Sequence, residues 1–592
     1  MADFYIIDDP DEHRVAEHAR RSGAFLESLP YPIREEVEID TARLVLLRNP
    51  PTPFDVTRAD GRARAVDLGG GGVLQSAGPL PPADLEESWS RETPLGMLIQ
   101  ARPEGGVRIV ADRLGIYPVY FLEAGDVFLA ASSPSLIVSH PACKRAIDRI
   151  GLTGILLYSM PGGRRTIWES VKRLRPGEAL MWSRRDGLRT EEVWHPRSVS
   201  VTLPDADPVD TFDRHFRTWV QSLQTPANLQ LSGGLDSRIV AGYLSTKPGS
   251  VVEAWTYGEP RDYEASTARR AARVCGFRHR TVPVNLDRYV EWAHWTIDAG
   301  HLSNAVPDFG TWAIGDVAAK SQLPVVTGHL GDIVLGGNHI GRGILTSNPV
   351  EEFEILRGRL NHGYGLTEEQ VVRLLRGNDG KDLIAACVAE FSDAYASYAD
   401  DAFHRGWWFD LLHRDRLNVA RLVLQVSRYS WPLIPYCLPR LVEDASVLDS
   451  ETLRGRRLEH RIIVAHFPRL AAIPFDRGQL DLWPALYPSR ISRLFWTAGE
   501  RLRRAYRTVA VRKGAIERRV NHRLWSFDRN PGWQEIRRMA RDGVGLIEDL
   551  VDVDYFKELV PSPGVPTDTG DALAGSGVKT AACLVLWAAA HR

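Results

Sequence analysis

The sequence predicts a mixed α/β protein in three parts. These are a β-rich α+β N-terminal domain over residues 1–200, a parallel-sheet α/β domain over 205–500, and a helical C-terminal extension over 501–592. Three observations carry this reading. The first two hundred residues are short apolar runs broken by Gly and Pro, the pattern of strands and turns. After residue 205, strand-like runs alternate with helix-length amphipathic stretches, which implies a parallel sheet with helices on both faces. At 592 residues the chain is also too long for a single hydrophobic core.

In the first part the strand-like runs include 42-ARLVLLRN-49, 106-GVRIVADRLGIYPVYFLEAGDVFLAAS-132 and 177-GEALMWSR-184. A polar, Pro-containing stretch, 195-HPRSVSVTLPDADP-208, is the expected linker. The parallel sheet is expected from 228-NLQL-231, 250-SVVEAWTY-257, 280-RTVPV-284 and 323-LPVVTG-328, with a helix over 262-DYEASTARRAARVCG-276. From about residue 350 the pattern is helical. The longest apolar stretch, 578-VKTAACLVLWAAA-590, is shorter than the roughly 20 residues that span a bilayer and reads as a buried terminal helix.

Composition excludes several classes. With 44% hydrophobic and 25% charged residues the chain is globular, and a net charge of -2 gives no pull toward nucleic acid or membrane. The five cysteines (Cys143, Cys275, Cys387, Cys437 and Cys583) are scattered, which argues against a disulfide framework or a zinc site. The start MADFYIIDDP has no signal-peptide pattern, so a cytoplasmic protein is expected. One segment, 499-GERLRRAYRTVAVRKGAIERRVNHR-523, carries nine Arg or Lys against two Glu. It reads as a solvated helix face, with a docking surface for an acidic peptide or partner as the alternative.

The most specific chemistry lies in 228-NLQLSGGLDSRIVAGYL-244. A β-run ends at Leu231, and a helix begins near Leu235. Gly233 and Gly234 are expected to turn with positive φ and bring backbone N–H groups against an anion, at the positive end of the helix dipole. Ser232 and Ser237 offer hydroxyl donors, and Asp236 stands where magnesium could bridge to phosphate oxygens. No GxxxxGK[ST] follows, so this is not a kinase-type P-loop.

This stretch resembles the pyrophosphate loop of the N-type ATP pyrophosphatases, which split ATP into AMP and pyrophosphate. Further on, 327-TGHLGDIVLGGNH-339 resembles the SGEGSDExFGG segment of asparagine synthetases, which implies an adenylate contact at Thr327 and Gly328 and a second magnesium ligand at Asp332. The stretches 112-DRLGIYPVYF-121 and 166-TIWESVKRLRPGEALMW-182 resemble glutamine-amidotransferase domains, and 434-IPYCLPRLVEDA-445 resembles the VPFLDxxLVExA segment of the synthetases. The resemblance implies an amidotransferase-like sandwich followed by an adenine-nucleotide α-hydrolase-like synthetase domain. ATP and Mg2+ are the implied cofactors. Ser232 to Ser237 (with Gly233, Gly234, Leu235 and Asp236) would hold the phosphates, and adenine would lie near Leu231 and Tyr257. Glu264, with Asp262, stands at the family's acidic position after the second strand, either facing ATP or starting a helix.

Three departures narrow the function. Glutamine-hydrolysing members begin Met-Cys, whereas the second residue here is Ala2 and the first cysteine is Cys143. The thiolate that would form the acyl-enzyme is therefore missing. His329 replaces a glutamate of the synthetases. Near Phe475 the family's RxK lysine is absent, and Arg477 is the nearest cation. An amine that arrives on the substrate is then expected. The pattern is most like the lasso peptide cyclases, which adenylate a side-chain Asp or Glu of a precursor peptide and join it to the peptide's N-terminal amine. That resemblance implies a precursor peptide as partner and leaves open a leader-binding protein and a leader peptidase. Asparagine synthetase, β-lactam synthetase and a non-catalytic peptide-binding scaffold are the alternatives. For the base that takes the amine proton, His301, Asp308 and His329 are candidates, each with a structural role as the alternative.

Overall fold

The computed structural model describes residues 3–59, 61–70, 82–198, 207–260, 262–303, 312–336, 348–360, 365–473, 530–565 and 576–592, with four single positions between 491 and 502. Among the described residues twelve strands fill the first part: β1 (Asp3–Asp8), β2 (Ile33–Ile39), β3 (Ala42–Arg48), β4 (Phe54–Ala59), β5 (Arg62–Leu68) and β6 (Met97–Ala101). They continue as β7 (Val107–Ala111), β8 (Tyr120–Leu122), β9 (Phe128–Ala131), β10 (Val171–Arg173), β11 (Glu178–Ser183) and β12 (Gly187–Glu192). They form two antiparallel sheets, ordered β10-β8-β9-β1-β3-β2 and β12-β11-β7-β6-β5-β4.

The sheets pack as a sandwich because successive side chains point to opposite faces. From β1, Phe4 and Ile6 join Leu68, Ile99, Ile109 and Trp182 of the second sheet in one core. Across the layer the Trp182 ring stacks on Phe128, centroids 5.6 Å apart. Tyr5 and Ile7 point the other way, and they too are buried. The run 106–132 supplies β7, β8 and β9, and Asp112 holds the turn between the first two by accepting from the Ile116 and Tyr117 N–H groups at 2.9 and 2.8 Å.

The second part is built on β13 (Ala227–Gln230), β14 (Val251–Tyr257), β15 (His279–Val282), β16 (Val325–Val326) and β17 (Pro432–Leu433). All pairings are parallel, in the order β15-β14-β13-β16-β17. The expected strand over 323–328 shrinks to two residues, and β17 has no counterpart in the sequence reading. A two-residue strand containing Pro432 carries no period-2 signal, and its place at the sheet edge is where proline is tolerated. Helices Leu235–Leu244 and Tyr263–Cys275 follow β13 and β14, and Tyr289–Gly300 and Trp312–Ser321 link β15 to β16. Farther on, helix Ala402–Phe409 widens into a π-turn over Asp410–Val419 before Ala420–Ser427.

The domains are not beads on a string. The outer face of the first sheet, through Tyr5, Val45, Tyr120 and Leu129, shares one core with Trp292 and Trp312 of the second domain and with Trp587. Trp587 belongs to the terminal helix Ser576–His591, whose apolar run is buried as expected and whose indole lies 5.0 Å from that of Trp168. Among the described residues no helix is long and apolar enough to cross a membrane. The expected linker lies partly, and the basic segment 499–523 almost wholly, outside the described residues.

Candidate active site

The strand order fixes where a site forms. The chain leaves β13 toward β14 on one side and returns through β16 on the other, so the two connections diverge at the carboxyl ends of β13 and β16. In open parallel sheets this divergence opens a crevice that takes a ligand. The SGGLDS loop leaves β13 and the TGHLGD loop leaves β16, so the two most specific motifs border the same crevice.

The first loop is braced from within. Ser237 Oγ accepts from the Ser232 N–H at 3.0 Å and pairs with Ser232 Oγ at 2.9 Å, and Ser232 Oγ accepts from the Gly234 N–H at 3.1 Å. Both hydroxyls, expected as phosphate donors, hold the turn here. Positive φ at Gly233 and Gly234 does not occur. Neither is among the glycines with that conformation, and Gly234 is extended at φ -75°. At 234 a Cβ would stand 3.2 Å from Ser232 Oγ, a tight contact with a side chain that already braces the turn. Gly234 caps helix Leu235–Leu244 without a side-chain hydrogen bond, so the N-terminal amides face the crevice without a side-chain acceptor from the cap. Leu231, wholly buried, donates its N–H to Trp255 O at 2.8 Å, and the Thr256 hydroxyl donates to Leu231 O at 2.5 Å.

Three loops meet on Asp236. Gly328 presses on the first loop's main chain so closely that a Cβ would lie 2.5 Å from Ser237 N and 2.6 Å from its Cα. At Gly331 a Cβ would lie 2.6 Å from Asp236 Oδ1 and 2.7 Å from the Tyr436 ring. Tyr436, from the segment after β17, donates its hydroxyl to Asp236 O at 3.1 Å. Between these glycines Leu330 is left-handed at φ +70°, a conformation that costs a non-glycine residue about 1–2 kcal/mol. Gly328→Ala is therefore expected to displace the SGGLDS backbone and to weaken ATP binding at least about tenfold, read by calorimetric titration. Wild-type affinity would refute the contact.

The electrostatics converge on the same point. Arg456, left-handed at φ +64°, bonds both Asp236 and the buried Glu459. Burial disfavours the Arg456 cation, but the Asp236 and Glu459 carboxylates outweigh it and hold the guanidinium charged. Asp332, one residue past Gly331, acts on Arg456 and on His329. Desolvation pulls the His329 imidazole down to about 4 against the pull of Asp332 and Asp236, so the ring is neutral at pH 7 and a weak base there. Its Nδ1 pairs with Thr327 Oγ1 at 2.6 Å.

The remaining expected residues divide. Tyr257 ends β14, and Glu264 stands in the first turn of the helix that follows, both at the same end of the sheet as the loops. The Asp262 carboxylate accepts from the Glu259 N–H at 2.7 Å, closing the turn before that helix. His301 does not serve as the base. It is wholly buried, Trp168 Nε1 donates to its Nδ1 at 2.9 Å, and its Nε2 pairs with Ser135 Oγ at 2.8 Å. Its ring lies 3.9 Å from that of His591. With both nitrogens engaged, and its pKa driven far down by burial and by His591, it ties the first domain to the terminal helix instead. Asp308 and Arg477 lie outside the described residues.

Sequence reasoning missed Arg238, Arg456, Glu459 and Tyr436. Arg238 is fully buried and donates to Gly233 O at 2.8 Å and Ile473 O at 2.6 Å, tying the loop to a segment more than two hundred residues on. Tyr436 was inside a recognised motif. Arg456 sits in the run RGRRLEH, where nothing distinguishes it from a solvated arginine. For metal, the described residues contain no cluster of three or more His, Cys, Asp or Glu arranged as a cage. Two carboxylates, Asp236 and Asp332, fit magnesium held jointly with substrate phosphates, the usual mode for that ion.

Comparison with known proteins agrees with this geometry. The glutamine amidotransferase domain family matches residues 96–194, and the asparagine synthase family matches residues 220–414. The asparagine synthetase [glutamine-hydrolyzing] 3 of Bacillus subtilis (strain 168) is 34% identical over 168 residues. That match covers 26% of this chain and 25% of the relative, so the chain matches about a quarter of its relative's length. With both matches in this order and a synthetase among its relatives, the chain is similar to the asparagine synthetase-like superfamily over these segments.

Proposed function

We propose that the chain is an ATP-dependent, AMP-forming amide ligase, and that its substrate is a precursor peptide it closes into a macrolactam of the lasso type. The observation that carries the ligase reading is the meeting of the SGGLDS, TGHLGD and Tyr436 segments on Asp236 at the sheet's switch point. A carboxylate oxygen of the peptide attacks the α-phosphorus of ATP and pyrophosphate leaves. The peptide's N-terminal amine then attacks the acyl carbon, loses a proton and releases AMP.

The helix N-terminus at Gly234 and the Arg456 guanidinium receive the phosphate charge, and Asp236 and Asp332 are the residues that would hold magnesium. When bound, that ion neutralises charge on the phosphates. Ring closure relies on holding amine and acyl carbon together, an effect worth about 7–11 kcal/mol at best. A substrate-borne amine is favoured because the described part of the amidotransferase-like domain contains a single cysteine, Cys143. That residue is buried, and its thiol is pushed up by burial. A thiol so placed is a poor nucleophile for glutamine hydrolysis.

Release of pyrophosphate from ATP and magnesium is the test, with a candidate precursor peptide compared against aspartate plus ammonia. Peptide-stimulated release, with a product lighter by one water, is expected. Release with aspartate and ammonia but not with peptide would assign the chain to the asparagine-forming reading, which the synthetase relative favours. No release with any acceptor would leave a binding scaffold.

A further inference from the structure

Away from the crevice, a cavity of about 690 Å³ opens between the amidotransferase-like domain and the helices of the second domain. Its walls come from residues 163–165, from β10–β12 and the segment after them, from helix Gly380–Ser397 and from the π-turn Asp410–Val419. Most of the charge on these walls is already matched. Glu178 takes Arg164 and Arg175, each at 2.6 Å, and Glu390 takes Arg165 at 2.6 Å.

Arg416 is both buried and unmatched. It lines the cavity from the π-turn and is only 4% exposed, yet its Nε and Nη1 have no hydrogen-bond partner and it enters no ion pair among the described residues. Its charged neighbours make matters worse. Arg173, also buried, repels it, and Asp112, the acid that acts on it, already accepts three backbone N–H groups. A buried guanidinium with no hydrogen-bonded counter-charge is among the most unfavourable arrangements a fold can retain. A π-turn is likewise rare and recurs at functional sites. An anion from solution would supply the missing charge.

We propose that this cavity is a second ligand site, in which Arg416 holds a small anion through a carboxylate or phosphate group. Nε and Nη1 are closed off from the cavity, so the anion meets Nη2 through a charge-assisted N–H bond. Glu123, Glu192 and Asp393 also line the cavity and disfavour a highly charged ligand. The site stands independently of the ligase reading, since it shares no residue with the Asp236 crevice.

The test titrates the full chain with inorganic phosphate and, separately, with acetate, following melting temperature and heat of binding. In the wild-type protein at least one of the two should raise the melting temperature saturably, and which one does so identifies the ligand class. Arg416→Met should melt no lower than wild type without ligand, because it removes an unpaired buried charge, and should lose the ligand-dependent rise. Phosphate bound at the SGGLDS loop affects both proteins alike and cancels in the comparison. An equal rise in wild type and Arg416→Met, or no rise with either anion, would overturn the proposal. Should Arg416→Met fail to fold, Arg416→Lys decides. It keeps a positive charge but not the reach of Nη2, and affinity should fall at least about fivefold; unchanged affinity would overturn the assignment.

Discussion

Asp236→Asn is expected to lower the rate of pyrophosphate release by about a hundredfold to a thousandfold, the range seen when a preorganised charge facing the reacting group is removed. The melting temperature should change by only a few degrees. The two parts of this expectation have separate causes. The bond from Tyr436 is made to the main-chain oxygen of residue 236, and the fit against Gly331 depends on side-chain shape, which asparagine keeps. What is lost is one negative charge at a point where Asp332, Arg456 and Glu459 all act. Nucleotide titration in the presence of magnesium gives a readout besides turnover, and affinity should fall with the rate. A variant that turns over within threefold of wild type would remove Asp236 from the reaction.

Arg456→Met should have the largest effect on stability, a loss of about 3–5 kcal/mol, typical of stripping the partner from a buried charge. Glu459 has no exposed surface and would be left without its cation. Burial already pushes the Glu459 carboxyl up, with Arg456 opposing, so removing the arginine raises it further. A raised carboxyl favours the folded state at low pH and loses that contribution as pH rises through the folded value. The deficit of Arg456→Met relative to wild type should therefore shrink on acidification, as followed by urea unfolding at several pH values. The left-handed backbone at 456 adds a control. Arg456→Gly relieves the strain and should be about 1 kcal/mol more stable than Arg456→Ala. A deficit that grows toward low pH would contradict the Glu459 account.

Much of this site was legible because its parts are local. Leu231 to Ser237 form one continuous strand-turn-helix whose glycines, serines and aspartate are recognisable together, and the same holds for Thr327 to Asp332. The physical reasons behind those residues were less legible. Glycine at 328 answers to a main chain that arrives from residue 237, and glycine at 331 answers to Asp236 and Tyr436. Contacts across a hundred residues leave no periodic trace. Arg456 is the extreme case, an arginine among arginines whose importance comes wholly from what folds against it. His301 erred in the opposite direction. Its position before the second loop suggested chemistry, but its partners Trp168 and Ser135 come from the other domain. In the fold, the first-domain strands and the parallel sheet followed from alternation and strand-helix order, whereas the two-residue β17 is too short for any period to register and the ten-residue π-turn departs from the 3.6-residue period that marks a helix.

The core shared by the first sheet, the second domain and the terminal helix has a consequence for how such a gene can change. A module joined by a flexible linker can be deleted, swapped or left to decay once its reaction is no longer needed. Here Tyr5, Val45, Trp168, Trp292 and Trp587 pack in one apolar mass, so the amidotransferase-like half is part of the wall that keeps the synthetase half folded. Its surface is free to drift while its sheet is not, and selection on the fold of the second domain alone is enough to retain the whole sandwich.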